Sequence, residues 1–495
     1  MDDGVVFMLF NSIEYLIFFP AIAILFFMMP QKLKVFWLMA ASFAFYAFWN
    51  AKYLLLLLFC IAITYAAGLL LDKIDAKAKG KRKLVLIGSL TVNLGLLFYF
   101  KYFTFFWETA QDLWDWPKTD IDNILLPVGI SFFTFQAIGY VIDVYRGKVP
   151  AEKNPVKYAL FISFFPQLVA GPIERSENML PQLKQNPGLN VQRIREGMLT
   201  IVYGLFIKIV VADNIALLVD PVFEHPEDYN GMQLLVAVVM FAFQIYGDFS
   251  GYTRMAIGSA EVLGFRLCDN FRQPYLATSV NDFWKRWHIS LTSWFRDYLY
   301  IPLGGNRKGR ARKYVNIMIV FLLSGLWHGA AWHFVVWGGL NGLLCVLEEA
   351  LQKPWDMAKK HLRIKTDTIA WKILQRVIAF IAVDLTWLFF RAENIGQAWY
   401  ILKKIAGGLQ MKYIAVADYC ALFPSEKVMM IVIVSLLFLT LADVAAYMGK
   451  DLRRVVLEQQ IVFRWILYWI VVMIFLFWGV YGTAYHATQF IYFQF

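Results

Sequence analysis

Charged side chains are scarce in this 495-residue chain, in which Asp, Glu, Lys and Arg make up 17% of the residues. Soluble proteins carry roughly 25%. Apolar residues make up 60% and aromatic residues 18%. A soluble globule could not hide that much apolar surface, so the composition excludes a disordered chain and an ordinary cytosolic enzyme. We therefore expect the chain to fold in a lipid bilayer.

Cysteine is rare as well. The four copies, Cys60, Cys268, Cys345 and Cys420, show neither metal-ligand spacing nor regular pairing, so we expect no disulfide scaffold and no metal site. The shortage of acidic residues leaves a net charge of +11. The basic residues lie between apolar segments rather than on one polar domain, which argues against a nucleic-acid partner.

Apolar segments recur along the chain at the length that a membrane span requires, about 20 residues. We predict about 12 transmembrane helices and no cleavable signal peptide, since Asp2 and Asp3 replace the usual basic start. The predicted spans are 14–29, 35–49, 53–71, 84–106, 125–145, 197–219, 231–248, 314–332, 334–351, 371–390, 428–447 and 463–482.

The basic residues are distributed unevenly between the loops that join these spans. Thirty-six of the 47 Lys and Arg residues fall in one alternating set of loops and seven in the other. Because cytoplasmic loops are enriched in Lys and Arg, the first set is predicted to be cytoplasmic. An even number of spans then places both termini outside the cell membrane.

Two apolar segments, 158–172 and 281–305, are too short or too charged to span and are flanked by loops of the cytoplasmic set. We interpret both as re-entrant or interfacial helices, which a membrane protein tolerates where backbone lines a protein cavity. There is no internal repeat and no linker, so residues 1–495 are predicted to form one integral membrane domain.

Several polar residues lie at predicted membrane depth, where they are costly and often functional. Asp143 could pair with Arg146 at the cytoplasmic rim. Lys208 and Asp213 are five residues apart, which suits a structural ion pair with other helices better than chemistry. Asp248 and Ser250 could orient a ligand or hold a buried network. Gly247 and Gly251 have the spacing of close helix packing.

Two of the six histidines lie deep in the predicted membrane region. His288 is on the second re-entrant segment, toward the cytoplasmic side, and His328 is in the eighth span, toward the outside. A membrane histidine can ligate a metal or haem, relay protons, act as a general base, or be a hydrogen-bonded core residue. Two histidines approaching from opposite leaflets suggest chemistry connected to both sides of the membrane.

The chain resembles the membrane-bound O-acyltransferase superfamily, in particular its bacterial branch of alginate and peptidoglycan O-acetylases. The resemblance runs in family order over most of the chain. It is carried by the stretches Leu126–Phe135, Pro166–Arg175, Gly247–Tyr252, Phe283–Ser290, Leu299–Asn306 and Gly325–Gly329.

The resemblance implies an all-α ring of tilted helices around a tunnel. His328 matches the family's invariant histidine and His288 its second signature position. It implies transfer of an acyl group, most simply acetyl, from a cytoplasmic thioester such as acetyl-CoA to a cell-surface polysaccharide, with an exported SGNH-hydrolase-like partner. His288 would hydrogen-bond the thioester oxygen or position the donor. Residues expected to orient these groups are Trp287, Trp327, Asp143, Glu174, Asp248 and Ser250.

The C-terminal tail, 486–495, ends in Phe490-Ile-Tyr492-Phe-Gln-Phe495. Its composition alone suits anchoring at the lipid interface. It also resembles a motif of the same bacterial branch in which the tyrosine carries the acyl group. A phenol has an unperturbed pKa of about 10, so Tyr492 would need a base, and His328 is the expected one.

Two other functions remain open from the sequence. A D-alanyl transferase acting on teichoic acid would share the same architecture. A polymer or lipid transporter would share the membrane composition, although the inverted repeats common in transporters are not evident. The expected location is the bacterial cytoplasmic membrane; the polymer, the immediate donor and the oligomeric state stay open.

Overall fold

The computed structural model describes residues 8–117, 124–169, 171–185, 187–408 and 422–481. Every regular element among these residues is a helix, and eight helices are long and apolar enough to cross a membrane. The predicted class, an all-α polytopic membrane protein, is confirmed. The α-helices are α1 Ile13–Met28, α2 Gln31–Lys73, α3 Lys79–Leu97, α4 Phe103–Trp114, α5 Ile130–Tyr145, α6 Pro155–Ser163, α7 Phe165–Leu168, α8 Ser176–Gln185, α9 Val191–Phe206, α10 Asp213–Glu224, α11 Gly231–Leu263, α12 Val280–Trp284, α13 Ile289–Phe295, α14 Arg310–His328, α15 Trp332–His361, α16 Ile369–Arg391, α17 Ile395–Gly408, α18 Glu426–Tyr447, α19 Leu452–Leu457 and α20 Ile461–Trp478.

Two of the predicted spans, 35–49 and 53–71, form one interrupted helix, α2. Its 43 residues would extend about 65 Å at 1.5 Å per residue, twice the roughly 30 Å hydrocarbon core. Asn50 has extended backbone angles (φ −160°, ψ 110°) and interrupts the helix between the predicted spans 35–49 and 53–71. The other ten predicted spans each overlap with helices. Seven of them lie in the eight long apolar helices, α1 and α5 are short for a perpendicular crossing, and α14 is not among the eight.

The chain forms two compact units, residues 1–202 with 252–268 (unit 1) and residues 203–251 with 269–495 (unit 2). In unit 1 the two halves of α2 are fixed by tyrosines on either side of Asn50. Tyr46 donates a hydrogen bond to the Val128 carbonyl (3.0 Å), and Tyr53 donates one to the Leu125 carbonyl (2.8 Å).

The segment 158–172 also belongs to unit 1 and is broken into two short helices, α6 and α7, at Phe164. Its residues are almost all buried. Tyr158 donates a hydrogen bond to Thr64 (2.7 Å), and the Phe165 N–H donates one to Ser42 (3.1 Å), so both helices pack against α2. The segment 281–305 is likewise broken, into α12, α13 and a π-helical turn. Entry and exit of both segments on one side of the membrane stays a prediction.

In unit 2, a π-helical turn, Ile207–Ala212, lies between α9 and α10. The hydrogen bonds of a π turn join residue i to residue i+5, and here the Asp213 N–H donates to the Lys208 carbonyl. The Lys208 ammonium lies 2.7 Å from an Asp213 carboxylate oxygen. The π turn therefore aligns two side chains that a regular α-helix would have separated.

Candidate active site

Asp248 lies on α11 and completes a buried ion cluster in unit 2. One of its carboxylate oxygens is 2.5 Å from the Lys208 ammonium, and Lys208, Asp213 and Asp248 are each 2% exposed. Close helix packing makes this possible: a Cβ added at Gly251 would lie 2.9 Å from the Gly204 carbonyl oxygen. Of the two roles open to Asp248, the structure shows the buried network.

Ser250 follows Asp248 by two positions, about 200° around the helix at 100° per residue. It is buried at 1% exposure, and its hydroxyl has no hydrogen-bond partner among the residues that the structure describes. The side chains of Asp248 and Ser250 therefore leave α11 in different directions, and a role of the two residues in orienting a ligand stays a prediction. The residue between them, Phe249, packs edge-on against His288 with ring centroids 4.7 Å apart.

The structure brings His288 and His328 together in unit 2. Their ring centroids are 6.4 Å apart, and the two residues are 1% and 5% exposed. Trp327 contacts both rings, at 6.0 Å from His288 and 5.0 Å from His328. Two imidazoles at this separation can act on one small reacting group between or beside them.

His328 is the last residue of α14, and the glycines around it allow a tight turn into α15. A Cβ at Gly325 would lie 2.2 Å from the Phe334 carbonyl oxygen, and a Cβ at Gly329 would lie 2.1 Å from the Phe334 ring. These close approaches leave no room for a side chain at either glycine, so both positions serve close packing. They place the His328 ring against residues of the neighbouring helices.

Those neighbours are aromatic. The His328 ring lies edge-on to Trp337 (5.0 Å) and to Phe390 (5.5 Å). Trp387 stacks on Trp337 at 5.6 Å and also contacts Trp287 at 5.0 Å. The indole N–H of Trp337 has no acceptor among the described residues, so it is a buried hydrogen-bond donor beside His328. Sequence reasoning named Trp287 and Trp327 but missed Trp337, Trp387 and Phe390, because aromatic residues are common throughout the chain.

His288 has an unusual backbone conformation, with φ 44° and ψ 53°, and precedes α13. Non-glycine residues in this left-handed region are strained by roughly 1–2 kcal/mol. Asn270 holds the turn: its backbone carbonyl accepts a hydrogen bond from the Ile289 N–H (3.0 Å), and its side-chain Oδ1 accepts one from the Ser290 N–H (3.3 Å). The same Oδ1 lies 3.0 Å from His288 Nδ1.

Asn270 was not among the predicted site residues. It stands in an irregular connection between α11 and α12, where no periodic pattern marks it. Asp384, a buried mid-span carboxylate on α16 that is 5% exposed, was not among the predicted residues either. The rule that selected Asp248, a polar residue at membrane depth, would also have selected Asp384.

Three predicted residues remain, Asp143, Glu174 and Tyr492. Asp143 and Glu174 lie in unit 1, each 1% exposed. The Glu174 carboxylate accepts hydrogen bonds from the Asn178 amide (2.7 Å) and from the Cys268 N–H. It therefore links α8 to the segment that follows α11. Burial raises the pKa of the Glu174 carboxyl. Tyr492 lies outside the described residues.

Comparison with known proteins decides the family. The profile of MBOAT, the membrane-bound O-acyltransferase family, matches residues 151–390. A probable alginate O-acetylase of Azotobacter vinelandii is 37% identical over 396 residues, which are 79% of this chain and 77% of the relative. A peptidoglycan O-acetyltransferase of Helicobacter pylori is 38% identical over 397 residues, 75% of this chain and 73% of the relative.

The chain belongs to the membrane-bound O-acyltransferase family. It is an acyltransferase enzyme and a multi-pass membrane protein, as the sequence predicted. Similarity to D-alanyl transferases is weaker: a teichoic acid D-alanyltransferase of Streptococcus thermophilus is 27% identical over 299 residues, 57% of this chain and 72% of the relative. Membership in a family of acyltransferases argues against the transporter alternative.

The histidine pair of this acyltransferase lies inside the matched region, together with Asn270 and the aromatic residues around His328. Asp143 and Tyr492 lie outside it. A buried imidazole pair is suited to moving a proton during acyl transfer, since a neutral imidazole can take a proton from a hydroxyl and later return it. Acyl transfer to oxygen requires this step, because a neutral hydroxyl is a weak nucleophile.

Proposed function

We propose that this acyltransferase moves an acetyl group from a cytoplasmic thioester, such as acetyl-CoA, to a cell-surface polysaccharide. The buried pair of His288 and His328 with ring centroids 6.4 Å apart carries the proposal. Acetyl is preferred over D-alanyl because relatives 35–38% identical are named as acetylases, whereas those named as D-alanyl transferases are 24–27% identical.

In the first step, His328 removes the hydroxyl proton of the nucleophile while its oxygen attacks the thioester carbonyl. The carbon–sulfur bond breaks, and the departing sulfur takes up the proton that His328 holds. The products are an oxygen ester and a free thiol, so atoms and charge balance. General-base assistance of this kind is typically worth about 10²–10⁴ in rate.

Tyr492 is the nucleophile in this proposal and hands the acetyl group on to the polysaccharide, with an exported SGNH-hydrolase-like protein as the receiving partner. Near the end of the described chain, the Asn214 amide donates to the Trp478 carbonyl (2.9 Å), and the Val480 N–H donates to the Ile209 carbonyl (3.1 Å). The tail therefore starts from unit 2, which also carries both histidines. Ten residues lie between Tyr481 and Tyr492, and the 11 steps from one tyrosine to the other can extend up to about 40 Å.

The orientation of the tail rests on the uneven distribution of basic residues between loops. This distribution of Lys and Arg favours both termini on the extracytoplasmic side of the bacterial cytoplasmic membrane, where the acceptor is. The donor then approaches from the opposite side, which the basic cytoplasmic loops favour electrostatically if it carries phosphate groups.

The test is a labelling experiment with the purified protein in lipid vesicles. Labelled acetyl thioester is added, the reaction is stopped with acid, and peptides are mapped by mass spectrometry. We expect label on Tyr492, none in Tyr492→Phe, and unchanged label in the matched control Tyr481→Phe. Label that never appears on Tyr492 in a protein that acetylates the polysaccharide would remove the tyrosine step. Absence of any acetyl transfer with several thioester donors would overturn the function.

A further inference from the structure

The proton on His288 can be located from the hydrogen bonds around Asn270. The Ser290 backbone N–H can only donate, and it lies 3.3 Å from the Asn270 side-chain atom assigned as Oδ1. That atom must be the amide oxygen, because an NH₂ group in its place would face another donor. The Ser290 hydroxyl lies 2.9 Å from the same oxygen and can donate to it as well.

An amide oxygen only accepts hydrogen bonds, so the His288 nitrogen 3.0 Å away has to be the donor. Nδ1 therefore carries a proton. His288 is 1% exposed, and its ring lies edge-on to Phe249 at 4.7 Å, an apolar setting that disfavours the charged imidazolium. In the neutral ring with its proton on Nδ1, Nε2 carries a lone pair and no proton.

We infer that Asn270 is a positioning residue that fixes His288 with its proton on Nδ1, so that His288 holds the acyl donor by accepting a hydrogen bond at Nε2. This inference rests on the proposed function and decides between the two roles that the sequence left open for His288. A nitrogen without a proton cannot donate to the thioester oxygen. The donor molecule must instead offer His288 an N–H or O–H group.

The backbone of His288 supports the same assignment. A left-handed residue directs the next two N–H groups into one small region. Asn270 accepts a hydrogen bond from each of them: its backbone carbonyl accepts from the Ile289 N–H, and its side chain accepts from the Ser290 N–H. Asn270 thus fixes the strained turn and the ring together. A buried donor for the thioester oxygen is available instead at Trp337, beside His328.

The first test reads the proton position directly. Magic-angle-spinning NMR of the full-length protein with ¹⁵N-labelled histidine, in lipid vesicles, distinguishes protonated from unprotonated ring nitrogens, and a difference spectrum against His288→Gln assigns His288. We expect a protonated Nδ1 and an unprotonated Nε2. A protonated Nε2 in the wild-type protein would overturn the inference. This measurement needs no activity, so it stands even if acetyl transfer fails.

The second test uses variants of Asn270. Asn270→Leu has a similar size but no acceptor, and we expect mixed tautomers of His288 and a donor KM raised about tenfold, the size expected for losing one hydrogen bond to the donor. Asn270→Asp keeps an acceptor oxygen and should restore the Nδ1-protonated ring and most of the donor affinity. Ser290→Ala is the matched control, since it removes one donor to the same oxygen and leaves the bond to His288.

A purely structural role of Asn270 predicts a different pattern. Asn270→Leu would then lower the melting temperature and the yield while the protein that remains folded kept its tautomer and donor KM. That result would overturn the inference, as would an Asn270→Asp protein that is folded but has the donor KM of Asn270→Leu.

Discussion

The ring of His288 lies 6.4 Å from that of His328 in unit 2, although one residue stands on a broken short helix and the other ends a long one. Trp327 bridges the two rings. This relationship gives the acyltransferase two imidazoles in a buried, aromatic environment, which is suited to moving a proton during ester formation.

The buried ion cluster of Lys208, Asp213 and Asp248 should be important for the stability of the folded protein. Lys208→Met removes the cation between Asp213 and Asp248, both 2% exposed, and leaves two buried carboxylates facing each other. Breaking a buried pair typically costs about 3–5 kcal/mol, so we expect a clearly lower melting temperature in detergent. Lys148→Met is the control, because its partner Glu177 is exposed and surface pairs contribute about 0–1 kcal/mol. Equal melting temperatures for the two variants would contradict this interpretation.

Adjacent glycines on α15 provide a matched pair that tests helix packing next to His328. A Cβ at Gly338 would lie 2.2 Å from the Phe321 carbonyl oxygen, whereas the nearest atom to a Cβ at Gly339 is a Leu322 methyl at 3.4 Å. Gly338→Ala should push α14 and α15 apart, lowering both the melting temperature and acetyl transfer. Gly339→Ala should be neutral or slightly stabilising, since alanine favours helix by about 1 kcal/mol over glycine. Thermal unfolding and activity of both variants, measured side by side, check this, and an active, stable Gly338→Ala protein would refute it.

The raised pKa of Glu174 predicts a pH-dependent stability in unit 1. The folded state binds the Glu174 proton more tightly than the unfolded chain, because burial disfavours the carboxylate. The stabilisation from this proton is complete below the unfolded pKa of about 4.3 and is lost as the pH rises through the folded value. Glu174→Gln should therefore gain stability relative to the wild type as the pH is raised from about 4 to 7. A melting-temperature difference that is constant over this range would show that Glu174 does not titrate as described.

Much of the fold was predictable from the sequence because lipid imposes a simple rule: apolar segments of a fixed length form helices. Asn50 shows where the rule stops, since the length criterion predicts two spans and cannot show that one interrupted helix contains both. Lys208 and Asp213 show a second limit. Their alignment depends on a π turn, which inserts one extra residue into the helix. Such an insertion does not show in the hydrophobic periodicity of the sequence.

The candidate site was predictable only in part. His288 and His328 stood out because ionisable residues are rare at membrane depth, and the resemblance to acyltransferases named both. Asn270 could not be found this way, because its role depends on a left-handed turn at His288 that brings distant backbone and side-chain groups together. The aromatic neighbours of His328, namely Trp337, Trp387 and Phe390, could not be identified because aromatic residues are abundant throughout the chain.

The central claim is that His328 acts as the base in acyl transfer across the membrane. The most direct measurement seals labelled acetyl thioester inside vesicles that carry the protein and follows label reaching polysaccharide and partner protein added outside. We expect transfer by the wild type, transfer reduced about 10²–10⁴-fold in His328→Ala, and normal transfer in His361→Ala, whose histidine is exposed at the end of α15. Undiminished transfer by a correctly inserted His328→Ala protein would contradict the account.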